Sequence, residues 1–205
     1  MTAFSARFFA FPFILTVLKT KEKIILGIDP GTNILGYSVI KVSGGKITVV
    51  ANGIIRLRGY LDQYMKLKQI FTRVQNVIKE YGPEELAVEA PFFGKNVQSM
   101  LKLGRAQGVA ISAALMMDLP IFEYSPKKIK QSITGNGNAS KEQVAKMLQT
   151  IAGLDELPEY LDETDALATA VCHHYQSKFI AKGGSSFSGW KAFVPANPDR
   201  VSGQS

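Results

Sequence analysis

A chain of 205 residues, 46% of them hydrophobic, is long enough for one domain with a substantial core and too apolar for a disordered protein. Twenty-four Lys and Arg against 17 Asp and Glu leave a net charge of +7, which favours polyanionic partners such as nucleic acid over basic ones. The single cysteine, Cys172, excludes an internal disulfide and a cysteine-rich zinc site, fits a reducing compartment such as the cytoplasm, and reads as a small buried hydrophobe.

At the N-terminus, Phe8 to Leu18 (FFAFPFILTVL) is apolar, follows Arg7 and precedes Lys19, Lys21 and Lys23, so it imitates the apolar region of a signal peptide. It is too short to cross a bilayer as a helix, contains Pro12, and has no small-x-small cleavage site before the charged stretch. Residues 1–22 therefore read as an extension outside the fold, and no membrane association is expected.

The first element of the fold is the apolar strand Ile24-Ile25-Leu26-Gly27-Ile28, which delivers Asp29 into the turn Pro30-Gly31-Thr32. A carboxylate at the end of a buried strand is costly unless something positive meets it. Asp29 either caps the turn, as Asp does at the first position of a type I turn, or belongs to a site, and this stretch alone does not choose. Gly36 to Val42 is a second strand, Ser43-Gly44-Gly45-Lys46 a hairpin turn, and Ile47 to Leu57 a third strand, together an antiparallel meander.

From Asp62 to Tyr81 the apolar positions Leu67, Ile70, Phe71, Val74, Val77 and Ile78 recur at three and four. They predict an amphipathic helix that Gly82-Pro83 ends. Leu86-Ala87-Val88 is then a short buried strand that again delivers a carboxylate, Glu89, into a proline-containing loop. That loop, Ala90-Pro91-Phe92-Phe93-Gly94-Lys95-Asn96, holds two adjacent rings. Both cannot point inward from an extended segment, so at least one faces a groove or partner. Val97 to Met117 is a helix rich in Gly, Ala and Ser, suited to close packing within the domain or across a dimer.

Pro120 to Tyr124 is a further strand, and Ser125-Pro126 opens a helix that carries Lys127, Lys128 and Lys130. After the polar loop 134–139, Ser140 and Gln143 form a capping box that puts Lys141 in the first turn of the next helix. A cation there opposes the helix dipole, which points to phosphate recognition over a merely solvated lysine. Asp155 to Tyr160 is a loop. Asp162-Glu163-Thr164-Asp165 then starts a last helix, Ala166 to Gln176, whose face Leu167, Ala168, Val171 and Cys172 is apolar. Residues 179–205, rich in Gly, Ser and Pro, read as a flexible tail after a domain spanning 23–178.

Asp162 and Asp165 lie three apart on one helical face, and helix-dipole stabilisation alone would account for them. Two strand-end and two helix-start carboxylates in a basic chain nevertheless form a notable set. If the four converge, they need divalent cations to stay ionised, and all-oxygen ligands suit Mg²⁺ or Mn²⁺ rather than zinc. Two such ions can activate water and stabilise the leaving oxygen in hydrolysis of a phosphodiester.

Ile25-Leu26-Gly27-Ile28-Asp29-Pro30-Gly31-Thr32 with Gly36-Tyr37 closely resembles the opening of the RuvC-type Holliday junction resolvases, nucleases of the ribonuclease H-like fold. So do Ala87-Val88-Glu89, the stretch from Lys95-Asn96 to Ala110, Phe122-Glu123-Tyr124, and Asp162-Glu163-Thr164-Asp165-Ala166-Leu167-Ala168, in one consistent order over about residues 24–177. The resemblance implies an α/β fold with a mixed central sheet, an antiparallel meander plus parallel strands, flanked by helices. It implies that Asp29, Glu89, Asp162 and Asp165 are the catalytic acids, binding two Mg²⁺ (or Mn²⁺) ions. It implies a homodimer that nicks two strands of like polarity in a four-way DNA junction during recombination and repair, with the branch-migration proteins RuvA and RuvB as partners. Phe92 matches the aromatic that wedges against bases, Phe93 and Lys95 lie beside it, and Lys130 and Lys141 match basic residues near the scissile phosphate. Some relatives have His where Asp162 stands. Ala90-Pro91 departs from the residues expected after Glu89 and leaves the path of that loop open. His173 and His174 receive no ligand role. The alternatives are an actin-like or sugar-kinase-type ATPase, whose phosphate loop also places Asp-x-Gly-Thr after a strand, and a non-catalytic junction-binding module.

Overall fold

The computed structural model describes residues 22–60, 62–91, 96–156, 158 and 160–180, with side chains to residue 177. The segment read as an N-terminal extension, save Glu22, lies outside the described residues, as do Phe92, Phe93 and Lys95 and the tail beyond residue 180. Among the described residues no helix is long and apolar enough to cross a membrane.

The chain runs β1 (Lys23–Asp29), β2 (Ile34–Ser43), β3 (Lys46–Arg56), α1 (Gln63–Tyr81), β4 (Glu85–Glu89), α2 (Val97–Leu115), β5 (Ile121–Tyr124), α3 (Pro126–Thr134), α4 (Lys141–Ala152) and α5 (Leu161–Ile180). The five strands form one sheet in the order β3-β2-β1-β4-β5. β1, β2 and β3 pair antiparallel, whereas β4 lies parallel to both β1 and β5. This is the mixed sheet flanked by helices that the resemblance implies.

Alternation along each strand divides the core into two layers. Leu26 and Ile28 of β1, Leu35 and Val39 of β2 and Leu86 and Val88 of β4 pack with α1 and α2 on one face. Ile25, Ile40 and Ala87 pack on the other face with Ile129 and Ile133 of α3, Val144 and Leu148 of α4, and Leu167 and Val171 of α5. The two strand-end acids share the parity of that second set, Asp29 with Ile25 and Glu89 with Ala87, and so face α5.

β3 breaks the simple alternation. Val39 pairs with Ala51 and Ile40 with Val49, so Val50 is an extra residue in the ladder. Ile47 therefore serves the α5 face and Ile55 the α1 face, although both are odd-numbered, because the bulge inverts the phase between them.

The helix signals hold. Asp62 caps α1, accepting from Tyr64 N at 3.0 Å, and Gly82 closes it in the left-handed region at φ 57°. The Ser140/Gln143 capping box on α4 is present in both directions. α2 ends at Leu115, two residues before the expected Met117, because Met117 N turns to Ala114 O and Asp118 adopts φ 57°. α5 continues to Ile180, past the expected Gln176. Every residue of α5 from Ala166 to His174 is buried, because the helix is covered by the sheet on one side and by α3 and α4 on the other. That explains an apolar run without a single face.

Candidate active site

β1 and β4 run parallel with Ile28 opposite Val88, so Asp29 and Glu89 emerge side by side at the carboxyl end of the two central strands. Adjacent strands lie about 4.8 Å apart, so both acids can address one small ligand. α5 crosses this end of the sheet with its N-terminal end, which carries Asp162 in the first turn and Asp165 just after it. The approach is close: a Cβ built on Gly36, the β2 residue paired with Asp29, would lie 2.0 Å from the Asp162 carbonyl oxygen. The start of α5 is tied to the end of β3, where Arg56 Nη2 donates to the Tyr160 hydroxyl at 2.9 Å and the guanidinium lies 5.7 Å from the ring centroid.

The electrostatics couple Asp29 to the other three acids. Burial, then repulsion from Glu89, Asp165 and Asp162, pushes the Asp29 carboxyl from 3.8 up to about 8. Burial and then Asp165 push Glu89 up to about 7, opposed by Lys141 and Lys130. Strand-end acids in a low-dielectric corner thus repel one another enough to disfavour full ionisation.

One cation answers them directly. Lys141 Nζ lies 2.5 Å from Asp165 Oδ2. Burial works against the Lys141 ammonium, but Asp165, and then Asp29 and Asp162, outweigh it and hold its pKa above the ordinary lysine value. Lys141, read from its unfavourable place in a helix first turn as a phosphate contact, therefore already has an anionic partner in the chain. Lys130 reaches the same region only through its field at Glu89.

Asp29 and Glu89 line a small pocket of about 60 Å³ together with Pro30, Ala90, Pro91, Leu103 and Gln107. Gln107, buried on α2, donates from Nε2 to the Glu89 carbonyl oxygen at 3.3 Å and to Glu123 Oε2 at 3.0 Å, bracing the end of β4. Sequence reasoning gave Gln107 no role. Its only signal was an amide among the small residues of α2, which does not reveal its partner.

At the opposite end of the same strands lies a second polar group. Glu85 pairs with Lys23 Nζ at 2.5 Å and with His173 Nε2, and His173 Nδ1 shares a hydrogen bond of 2.7 Å with the Tyr124 hydroxyl. The His173 ring stacks on Phe122 at 4.3 Å. Burial opposes the Glu85 carboxylate, yet His173 and Lys23 outweigh it and hold its pKa below the ordinary glutamate value. His173 is thus a buried core residue with both ring nitrogens hydrogen-bonded.

The donor chemistry at the carboxyl end fits a hard divalent cation: all the candidate groups are carboxylates, and the raised pKa values of Asp29 and Glu89 mark a deficit of positive charge beside them. Among the described residues no three His, Cys, Asp or Glu side chains stand close enough together to ligate a metal.

Comparison with known proteins agrees with this layout. The family model for crossover junction endodeoxyribonuclease RuvC matches residues 25–173. The chain is 57% identical over 183 residues to the crossover junction endodeoxyribonuclease RuvC of Cytophaga hutchinsonii, covering 89% of this chain and 90% of the relative. It is 57% identical over 186 residues to that of Christiangramia forsetii, covering 91% and 96%. Among solved structures, Thermus thermophilus RuvC in complex with a Holliday junction substrate matches with TM-score 0.73 at 33% identity, covering 77% of this chain and 96% of that one. The paired strand-end acids and the acid-bearing last helix thus lie within the matched region, and the chain belongs to the RuvC family of crossover junction endodeoxyribonucleases.

Proposed function

We propose that this chain is a metal-dependent endonuclease that resolves four-way DNA junctions by nicking two strands of like polarity, with Asp29, Glu89, Asp162 and Asp165 as its catalytic acids. The observation that supports the assignment is geometric: Asp29 and Glu89 end two paired parallel strands, and the start of α5 with Asp162 packs directly on the β2 residue paired with Asp29. Neither the ATPase nor the non-catalytic alternative has a comparable observation in its favour.

The acids would hold two Mg²⁺ or Mn²⁺ ions, which when bound supply Lewis-acid activation of water and neutralise charge on the leaving oxygen. Asp29 and Glu89 are held by paired strands, and such rigid placement is what a site of this kind demands. Lys141 and Lys130 bind the DNA beside the scissile phosphate, and Lys141 exchanges Asp165 for that phosphate. Phe92, with Phe93 and Lys95 beside it, stacks on bases opened at the junction centre. The enzyme works as a homodimer in the cytoplasm, where RuvA and RuvB are its partners. Residues 23–178 form the nuclease domain, outside which lie the N-terminal extension and the tail.

Asp29→Asn tests the assignment. It is expected to abolish junction cleavage in Mg²⁺ while junction binding persists, because phosphate contacts remain when the acid is neutral. A variant that still cuts at the normal rate would overturn it.

A further inference from the structure

Gly27 and Gly36 are interior strand residues, where glycine ordinarily weakens a sheet by roughly 0.5–1 kcal/mol relative to alanine. Neither has a positive φ, so backbone conformation does not demand glycine at either place. What demands it is α5. A Cβ on Gly36 would lie 2.0 Å from the carbonyl oxygen, 2.5 Å from the carbonyl carbon and 3.2 Å from the Cβ of Asp162. A Cβ on Gly27 would lie 2.2 Å from the Ala166 carbonyl oxygen and 2.8 Å from the Ala170 Cβ. The obstructing oxygens belong to helix backbone and cannot swing aside as a flexible side chain would. Carbon and oxygen approach no closer than about 3.3 Å, so one methyl group at position 36 would force the first turn of α5 outward by roughly 1 Å. Asp162 would move with it.

We infer that Gly36 is a positioning residue for the cleavage reaction: its missing side chain sets how far Asp162 stands from Asp29, with Gly27 setting the same helix one turn further along at Ala166, next to Asp165. The register supports this, since Gly36 is the residue paired with Asp29 while the space its missing side chain leaves is taken by Asp162. The rest of the contact differs in kind. The sheet presents glycine to α5 from Asp162 to Ala170, whereas further from the acids its strands contribute the larger side chains Ile25 and Ile40 to the same core layer. A displacement of about 1 Å is enough to cost a reaction roughly 100-fold when it falls on groups that must share a ligand.

The inference rests on the reading that Asp29 and Asp162 act as metal ligands, and the test separates the two. Gly36→Ala is expected to raise at least tenfold both the Mg²⁺ concentration for half-maximal thermal stabilisation of the DNA-free protein and that for half-maximal junction cleavage, and to slow single-turnover cleavage about 100-fold. Its junction affinity in chelator should stay within about twofold of wild type, since its phosphate contacts are unchanged. Val74→Ala, in the core on the other face of the sheet, supplies a comparable loss of thermal stability with an unchanged Mg²⁺ requirement. Asp162→Glu, which restores reach by one methylene, should slow the wild-type protein but speed Gly36→Ala. A wild-type Mg²⁺ requirement in Gly36→Ala, or an equal rise in Val74→Ala, would overturn the inference, as would failure of Asp162→Glu to speed the Gly36→Ala protein. Should Gly36→Ala not fold, Gly27→Ala takes its place in the Mg²⁺ titration, and failure of both to fold would overturn it in favour of a requirement of the fold alone. If Asp29→Asn itself cleaves normally, the metal-ligand reading fails. If Asp29→Asn is inactive and Gly36→Ala is normal, only the role of Gly36 fails.

Discussion

Replacing Asp29 with Asn should stabilise the metal-free protein while destroying its activity. The carboxyl of Asp29 has a folded-state pKa of about 8 against 3.8 ordinarily, because it is buried among like charges. An acid whose pKa is raised by folding favours the folded state while protonated, so stability is lost as pH rises above the unfolded value and levels off above the folded one. At pH 7 the wild-type protein therefore carries most of that loss. About three pH units of mismatch at about 1.4 kcal/mol each set a ceiling near 4 kcal/mol, which sharing of protons among coupled acids reduces to about 2 kcal/mol. For a domain of this size that is a rise in Tm of roughly 4–8 °C in Asp29→Asn at pH 7. Asn is neutral at every pH, so the gap between variant and wild type should widen from pH 4 to pH 8. Thermal unfolding of both proteins in chelator across that range measures it, and added Mg²⁺ should narrow the gap by stabilising wild type alone. A variant no more stable than wild type at pH 7.5, or a gap that does not change with pH, would refute the claim that these acids repel one another in a buried corner.

Lys141→Ala should leave the metal-free Tm within a few degrees, since a half-exposed ion pair contributes less than about 1 kcal/mol, but should slow single-turnover junction cleavage about 100-fold. Normal cleavage by this variant would contradict a role beside the scissile phosphate. His173→Leu removes the hydrogen bonds to Glu85 and Tyr124 and leaves the Tyr124 hydroxyl without its partner. A stability loss of about 2–4 kcal/mol by urea denaturation is expected, and an unchanged unfolding midpoint would contradict a structural role for His173.

Much of this arrangement was legible because local chemistry announced it. A short apolar run ended by Asp29-Pro30-Gly31, and another ended by Glu89, mark strand ends by turn residues alone. Asp62, Gly82 and the Ser140/Gln143 box mark helix ends by hydrogen bonds within a few residues. What sequence left unread depends on partners distant in the chain. The Val50 bulge cannot be seen in β3, because Ile47, Val49, Ala51 and Ile55 keep a perfect period of two while the ladder does not. The partner of Lys141 stands 24 residues away and that of His173 is 88 residues away, so the first was read only as a phosphate contact and the second went unassigned. Gly27 and Gly36 looked like ordinary strand glycines, since only the packed helix shows what their missing side chains make room for.

The central claim is that Asp29, Glu89, Asp162 and Asp165 together make this chain a metal-dependent nuclease for branched DNA. Cleavage of a mobile four-way junction against linear duplex of the same sequence, in Mg²⁺ and in chelator, tests it most directly. The account predicts paired, symmetric nicks in the junction with Mg²⁺, little cleavage of the duplex, and none of either substrate in chelator. Cleavage that persists in chelator, or that falls equally on junction and duplex, would contradict it.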